Sequence, residues 1–115
     1  MYKGECQMAF KKGRWPIILR HKEEDGSESL IIKVVNGYFS SGNVFYHKNY
    51  PSERYWVLTD KMTGRRIYDA RTRKDCADWY EWNYQKVLDK RLTEEYAEWC
   101  NQFSELVKES EVPHE

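Results

Sequence analysis

The spacing of the apolar residues changes near Ala70, and this change limits the folds that the chain can adopt. From Trp15 to Ala70 the apolar residues form short runs rich in Ile, Val, Tyr, Phe and Trp, separated by turn residues, which is typical of β-strands. After Ala70 they recur every three or four positions, which is typical of amphipathic helices. We therefore predict an α+β fold in which a sheet is followed by helices.

Five strands are predicted in the first part of the chain. The strand-like segments are residues 16–22, 29–36, 43–48, 54–60 and 65–70. Gly26 and Gly64 supply the positive φ that tight turns require. Residues 36–43 contain two glycines and are predicted as a connection, and Pro51 excludes a continuous strand between the third and fourth segments. The strands are expected to form an antiparallel meander.

Two helices are predicted after the sheet. Thr72 to Asp75 fits the Ser/Thr-x-x-Asp/Glu pattern of a helix start. Two apolar stripes at helical spacing follow: Cys76, Trp79, Tyr80, Asn83, Val87 and Leu88, and then Tyr96, Trp99, Cys100, Phe103, Leu106 and Val107. Between the stripes, two cations precede Thr93 and two acids, which suits the end of one helix and the start of the next. A single long helix is the alternative, because residues 65–112 contain no Gly or Pro. We prefer two helices packed on one face of the sheet.

The size and composition indicate one cytoplasmic domain. A chain of 115 residues suits a single domain, with an ordered core at about 14–109, an N-terminal segment at 1–13 and a frayed tail at 110–115. No apolar run approaches the roughly 20 residues of a membrane helix, and the first residues lack the apolar segment of a secretory signal. The three cysteines are expected to be reduced thiols. The oligomeric state, monomer or homodimer, is left open.

The charges are unevenly distributed along a chain whose formal net charge is zero. Residues 1–75 carry 15 Lys and Arg against 9 Asp and Glu, and residues 76–115 carry 4 against 10. The two parts therefore have net charges of +6 and −6. Such a split indicates either a basic surface for nucleic acid and an acidic one for a protein, or a basic sheet and acidic helices that attract each other.

Five cations lie close together at the predicted strand-to-helix junction. They are Arg65, Arg66, Arg71, Arg73 and Lys74. Cations at a helix N-terminus are unfavourable by ~0.3–1 kcal/mol each, so local stability does not account for Arg73 and Lys74. Positive charge at such an end is suited to bind a phosphate or a carboxylate. Neighbouring aspartates could instead form exposed ion pairs on a solvated face, and we give the two interpretations equal weight.

The predicted strands carry aromatic rings on both faces. Two helices can cover only one face, so the other either exposes its rings or is covered by residues 1–13. Tyr46, Trp56 and Tyr68 therefore join the five cations as candidate residues for binding a partner or an anion. Rings interleaved with Lys and Arg are typical of single-strand nucleic-acid platforms and equally of protein-binding hot spots.

Catalytic, metal and cofactor signatures are weak. The Cys and His residues are isolated from one another along the sequence, unlike the close ligand pairs of zinc sites, and no glycine-rich phosphate loop occurs. Cys76 near a helix N-terminus with His47 as base is the one nucleophilic pair to consider, but Cys76 lies on an apolar stripe. We predict no catalytic residue, no metal and no cofactor.

These observations favour a small non-catalytic binding protein. We expect an accessory, regulatory or inhibitor protein that contacts a macromolecular partner through the basic strand–helix corner and exposed sheet aromatics. Because net neutrality opposes non-specific duplex binding, we rank a protein partner above nucleic acid. Direct binding of single-stranded or structured nucleic acid is the second interpretation, and an enzyme that uses Cys76 or His47 is the third and least favoured.

Overall fold

The computed structural model describes residues 10–110 as a five-stranded antiparallel sheet followed by two helices. The elements are β1 (Lys11–Lys22), β2 (Glu28–Ser40), β3 (Val44–Lys48), β4 (Trp56–Asp60), β5 (Arg66–Ala70), α1 (Arg73–Arg91) and α2 (Glu94–Ser110). Each strand pairs with the next one along the chain, in the order β1-β2-β3-β4-β5. The predicted α+β fold, with its meander and two C-terminal helices, is therefore confirmed.

The first two strands are longer than the sequence analysis predicted. β1 begins at Lys11, so residues 11–13 belong to a strand rather than to the N-terminal segment. β2 continues to Ser40, where a connection was predicted from residue 36. Gly37 explains this difference: a Cβ there would lie 2.3 Å from the Tyr46 carbonyl oxygen, so the glycine permits close strand approach rather than a turn. The remainder of the predicted N-terminal segment, residues 1–9, and the tail at 111–115 lie outside the described residues.

One face of the sheet packs against α1, which contacts β3, β4 and β5. Paired residues of neighbouring strands share a face, and Tyr46 pairs with Tyr38 and Leu58 in this way. The core on this face consists of Val44, Tyr46, Leu58, Cys76, Ala77, Tyr80 and Val87. The predicted stripe of the first helix is therefore its sheet-facing side.

The opposite face is covered by the curled β1–β2 ribbon. Ile17 of β1 is buried, and it shares the lining of a small cavity with His47, Val57 and Thr59 of this face. The ribbon reaches the turn between β4 and β5, where the Ile18 N–H donates to the Gly64 carbonyl at 2.9 Å. The expectation that this face exposes its aromatics is therefore wrong, and its alternative, cover by residues 1–13, holds only in part, because the covering ribbon extends well beyond residue 13. The greater length of β1 and β2 lets them cross the face themselves.

Both helices begin where the capping residues predicted. The Thr72 hydroxyl accepts a hydrogen bond from the Asp75 N–H at 3.0 Å, and the Thr93 hydroxyl accepts one from the Tyr96 N–H at 3.2 Å. α2 contacts α1 and β2. Phe103 of α2 packs on Gly64, where a Cβ would lie 2.4 Å from the ring and where φ is +67°. Gly64 thus provides both the predicted turn conformation and the space that α2 occupies.

A buried carboxylate connects the sheet to the junction of the two helices. Asp60, at the end of β4, accepts hydrogen bonds from Arg91 Nη2 at 2.8 Å, the Tyr96 hydroxyl at 2.8 Å and the Thr63 N–H at 3.0 Å. The side chains of Arg91 and Asp60 are only 16% and 6% exposed. We call Asp60, Thr63, Arg91 and Tyr96 the Asp60 cluster. Its hydrogen bonds and ion pair compensate the cost of burying the Asp60 carboxylate.

The two helices of residues 10–110 are too short or too polar to cross a bilayer.

We expect Arg91→Ala to lower the free energy of unfolding by about 3–5 kcal/mol, because it leaves the Asp60 carboxylate buried without its charged partner. Chemical denaturation with urea measures this change. The matched control is Lys74→Ala, which breaks the exposed Lys74–Asp78 pair and should cost at most about 1 kcal/mol. Equal losses in the two variants would contradict a structural role for the Asp60 cluster.

Candidate functional site

Arg65 and Arg66, the first two predicted site residues, have separate sets of contacts. The Arg65 guanidinium lies 4.4 Å from the centre of the Trp99 ring, and its Nη2 donates to Gln102 Oε1 at 2.8 Å. The Arg66 guanidinium donates to Asp69 at 2.9 Å and to Asn49 at 2.8 Å. Arg65 thus faces α2, whereas Arg66 is held by an exposed ion pair.

The other three cations lie at the start of α1 and also have different contacts. Arg71 is exposed, and none of the ion pairs within residues 10–110 includes it. Lys74 pairs with Asp78 at 2.8 Å, a hydrogen bond that raises the pKa of the ammonium group. Arg73 instead lies over rings, with its guanidinium 4.3 Å from the centre of Tyr38 and 5.8 Å from that of Trp56. Arg73 is therefore the cation that meets one of the predicted site rings.

The three predicted rings all lie on the helix-covered face. Tyr46 is fully buried in the core beneath α1, so the prediction that it contacts a partner is wrong. Tyr68 is half-buried and stacks on Trp79, with 4.6 Å between ring centres and 10° between planes. Trp56 is half-buried beneath Arg73, and the Lys48 ammonium lies 5.8 Å from its ring centre. Trp56 alone among these rings joins a cationic site.

A groove opens on this face beside the first residue of α1. It has a volume of about 420 Å³. We call it the cationic groove, and it is lined by Lys12, Gly13, Arg14, Asn36, Gly37, Tyr38, Lys48 and Trp56. Strand pairing explains the arrangement, because Lys12 pairs with Tyr38, Arg14 pairs with Asn36 and Lys48 pairs with Trp56. Four strands, β1 to β4, thus place side chains on one patch of the sheet.

The cationic groove carries positive charge that residues 10–110 do not neutralise. Lys12, Arg14 and Lys48 are exposed. Within residues 10–110, no ion pair involves them and no carboxylate lines the groove. Arg73 adds a fourth cation above the two rings. The groove can therefore bind anionic groups through its charges and flat apolar groups through its rings.

Sequence reasoning missed Lys12, Arg14, Tyr38 and Lys48 because they lie far from residues 65–74. Lys12 was placed in an N-terminal segment and Tyr38 in a connection, so neither was assigned a sheet face. The alternation Lys12-x-Arg14 was the available signal. It becomes informative only when β1 is known to begin at Lys11.

The structure places the two candidate catalytic residues on opposite faces of the sheet. Cys76 lies in the first turns of α1 and points into the core between this helix and the sheet, and burial raises the pKa of its thiol to about 11. His47 lies on the ribbon-covered face, where its Nε2 forms a hydrogen bond with the Thr59 hydroxyl at 2.7 Å. Burial lowers the pKa of His47 to about 4. The two residues therefore cannot act as a thiolate–imidazole pair.

Metal ligands are also dispersed: within residues 10–110, no three His, Cys, Asp or Glu side chains lie together in an arrangement that could hold an ion.

We expect stability to fall as the pH decreases from about 6.5 towards 4, because His47 is held neutral in the folded protein. Its pKa is about 4 when folded and 6.5 ordinarily, so over this range the unfolded chain binds a proton that the folded chain does not. At about 1.4 kcal/mol per pH unit, the free energy of unfolding should drop by roughly 2 kcal/mol between pH 6.5 and pH 5. Urea denaturation at pH 7.5 and pH 5 measures the loss.

His47→Gln should remove this part of the pH dependence, whereas His21→Gln, at an exposed position, should retain it. A wild-type stability that is the same at pH 7.5 and pH 5 would show that His47 is not held neutral.

The chain matches no protein-family model, no curated protein and no solved structure.

Proposed function

We propose that the protein is a non-catalytic binding protein that holds the anionic part of a macromolecular partner in the cationic groove. One observation carries the proposal: Lys12, Arg14 and Lys48 line the groove together with two aromatic rings, and no carboxylate among residues 10–110 lines it. Cations that are not paired with carboxylates of the protein itself can form ion pairs with an anionic ligand. The proposal keeps the predicted non-catalytic binding role and moves its site from residues 65–74 to the groove. Unlike the sequence analysis, it places single-stranded nucleic acid ahead of a protein partner.

Single-stranded nucleic acid is the partner that best fits the groove. Lysine and arginine contact phosphates, and an aromatic ring can stack with a base, a contact that contributes ~1–3 kcal/mol per base. Tyr38 and Trp56 supply the rings, and the flanking cations lie on neighbouring strands. The groove is formed by strands and is flanked by the first residue of α1, so it offers no helix to enter the major groove of a duplex.

An acidic segment of a protein is the second candidate. Five exposed glutamates on α2 support it: Glu94, Glu95, Glu98, Glu105 and Glu109. They give the molecule a negative helix that would repel a long nucleic-acid strand but would not oppose a compact protein partner. The same helix accounts for much of the net neutrality of the chain.

We expect the protein to bind a fluorescein-labelled 12-nucleotide oligo(dT) with an affinity that falls as salt rises. Three or four phosphate contacts predict a slope of log K against log salt concentration of roughly −2 to −3. The variant Lys12→Glu/Arg14→Glu/Lys48→Glu should bind at least about tenfold more weakly, because it reverses the charge of the groove. Fluorescence anisotropy at about three NaCl concentrations, from roughly 50 to roughly 300 mM, measures both the salt dependence and the loss of affinity in the variant.

The matched control is Arg20→Glu/Lys22→Glu/Lys108→Glu, which makes the same change in net charge at exposed positions outside the groove. Equal weakening by the two triple variants would show non-specific attraction and would contradict the groove as the site. If oligo(dT) does not bind, a pull-down with nuclease treatment tests the second candidate. Recovery of the same protein partners by the groove variant and by the wild type would then reject the groove altogether.

A further inference from the structure

A second cavity lies between the two helices and the start of β5. It has a volume of about 260 Å³. We call it the helix-hairpin pocket. Its apolar wall consists of Ile67 from β5, Trp79 and Val87 from α1, and Trp99 from α2. The pocket shares no lining residue with the cationic groove, so it can be considered independently of the proposed function.

The backbone of α1 is kinked beside this pocket. Asn83 has non-helical angles, φ −116° and ψ 16°, and its side-chain amide donates to the Trp79 carbonyl at 2.9 Å. The kink separates Trp79 from Lys86 and Val87, which line the pocket from the following turns. A regular hydrogen-bond ladder is thus interrupted where the helix borders the pocket.

The pocket has an excess of positive charge. Its lining contains the cations Arg65, Arg66, Lys86, Lys90 and Arg91 and the single carboxylate of Asp60. Arg91 pairs with Asp60, Arg66 pairs with Asp69 and Lys90 pairs with Glu95. Arg65 and Lys86 take part in no ion pair within residues 10–110, so two positive charges remain uncompensated at the pocket wall.

Arg65 also has an unsatisfied hydrogen-bond donor. Its Nε is buried and has no hydrogen-bond partner among residues 10–110, although its Nη2 donates to Gln102. A buried hydrogen-bond donor without an acceptor is unfavourable and is rare in native proteins. The Arg65 side chain is fixed over the Trp99 ring, so the guanidinium is held at the wall rather than free to turn towards solvent.

We propose that the helix-hairpin pocket binds a small organic anion that has a flat apolar body. The body lies against the wall formed by Ile67, Trp79, Val87 and Trp99, and the carboxylate or phosphate of the ligand contacts Arg65 and Lys86. Aromatic ligands pack favourably against tryptophan side chains. A guanidinium held beside an aromatic ring can form two parallel hydrogen bonds with a carboxylate. The volume restricts the ligand to a small one, below the usual range of drug-sized sites.

A cationic or strongly polar ligand does not fit this lining. The one carboxylate, Asp60, already accepts hydrogen bonds from Arg91, Tyr96 and Thr63, so it has little capacity left for a ligand cation. A neutral apolar ligand could occupy the wall but would leave the charges of Arg65 and Lys86 unpaired. The charge of the ligand is therefore the property that the experiment must test.

We expect 2-naphthoate to bind more tightly than its neutral analogue 2-naphthamide, with a Kd lower by at least about fivefold. The reason is that only the carboxylate can form ion pairs with Arg65 and Lys86. Titrations followed by ¹H–¹⁵N spectra should show shifts of the indole N–H signals of Trp79 and Trp99. 2-Naphthyl phosphate, titrated in parallel, shows which of the two anionic groups the pocket prefers.

Lys86→Gln should weaken 2-naphthoate binding by about tenfold and leave 2-naphthamide binding unchanged, as expected for the loss of one charge–charge contact. Lys108→Gln is the matched control, because Lys108 is an exposed lysine on α2 that does not line the pocket. The variant Lys12→Glu/Arg14→Glu/Lys48→Glu should bind 2-naphthoate as the wild type does. This result separates the pocket from the cationic groove.

Three outcomes would overturn the proposal. They are the absence of 2-naphthoate binding, signal shifts centred on Trp56 instead of Trp79 and Trp99, and equal affinity for 2-naphthoate and 2-naphthamide. None of these outcomes affects the oligo(dT) experiment, so the two proposals can fail separately.

Discussion

The buried Asp60 carboxylate is the interaction on which the relative positions of the sheet and the helices depend. It ends β4 and accepts hydrogen bonds from Arg91 at the end of α1, from Tyr96 at the start of α2 and from the turn before β5. A buried charge of this kind is tolerated because it is paired with an opposite charge and hydrogen-bonded. The position of the helix junction is therefore fixed by geometry as well as by apolar contact. The lining of the helix-hairpin pocket includes Asp60 and Arg91, so the shape of the pocket depends on the same contacts.

The parts of the fold that depend on local chemistry could be predicted from the sequence. Alternation identified the strands, Thr72 and Thr93 identified the helix starts, and Gly64 identified a turn, because each signal acts within a few residues. The curl of the β1–β2 ribbon could not be predicted, since it depends on contacts between β1 and the turn before β5. Gly37 was misread for the same reason: the close approach that requires a glycine involves a different strand.

The candidate site was predicted only in part because charge along the sequence is a poor guide to charge in space. The cations at residues 65–74 have different partners: Arg65 lies on Trp99, Arg66 and Lys74 pair with aspartates, and Arg73 lies on rings. The groove instead collects its cations from β1 and β3. Only Arg73 and Trp56 belong to both the predicted set and the region of the groove. Sheet register determines this grouping, and register depends on the whole meander.

The contacts that close the ribbon over the sheet also affect the entropy of chain ordering. Trp15 Nε1 donates to the Lys61 carbonyl across a separation of 46 residues, and Ile18 bonds to Gly64 across the same separation. The hairpins, by contrast, close loops of only a few residues. Because loop-closure entropy grows with the logarithm of length, bringing the ribbon onto the sheet costs about 2 kcal/mol more than closing a hairpin. Burial of Ile17 and the surrounding side chains must therefore offset this additional entropic cost, which the hairpin turns do not have. The ribbon consequently needs a minimum number of apolar residues.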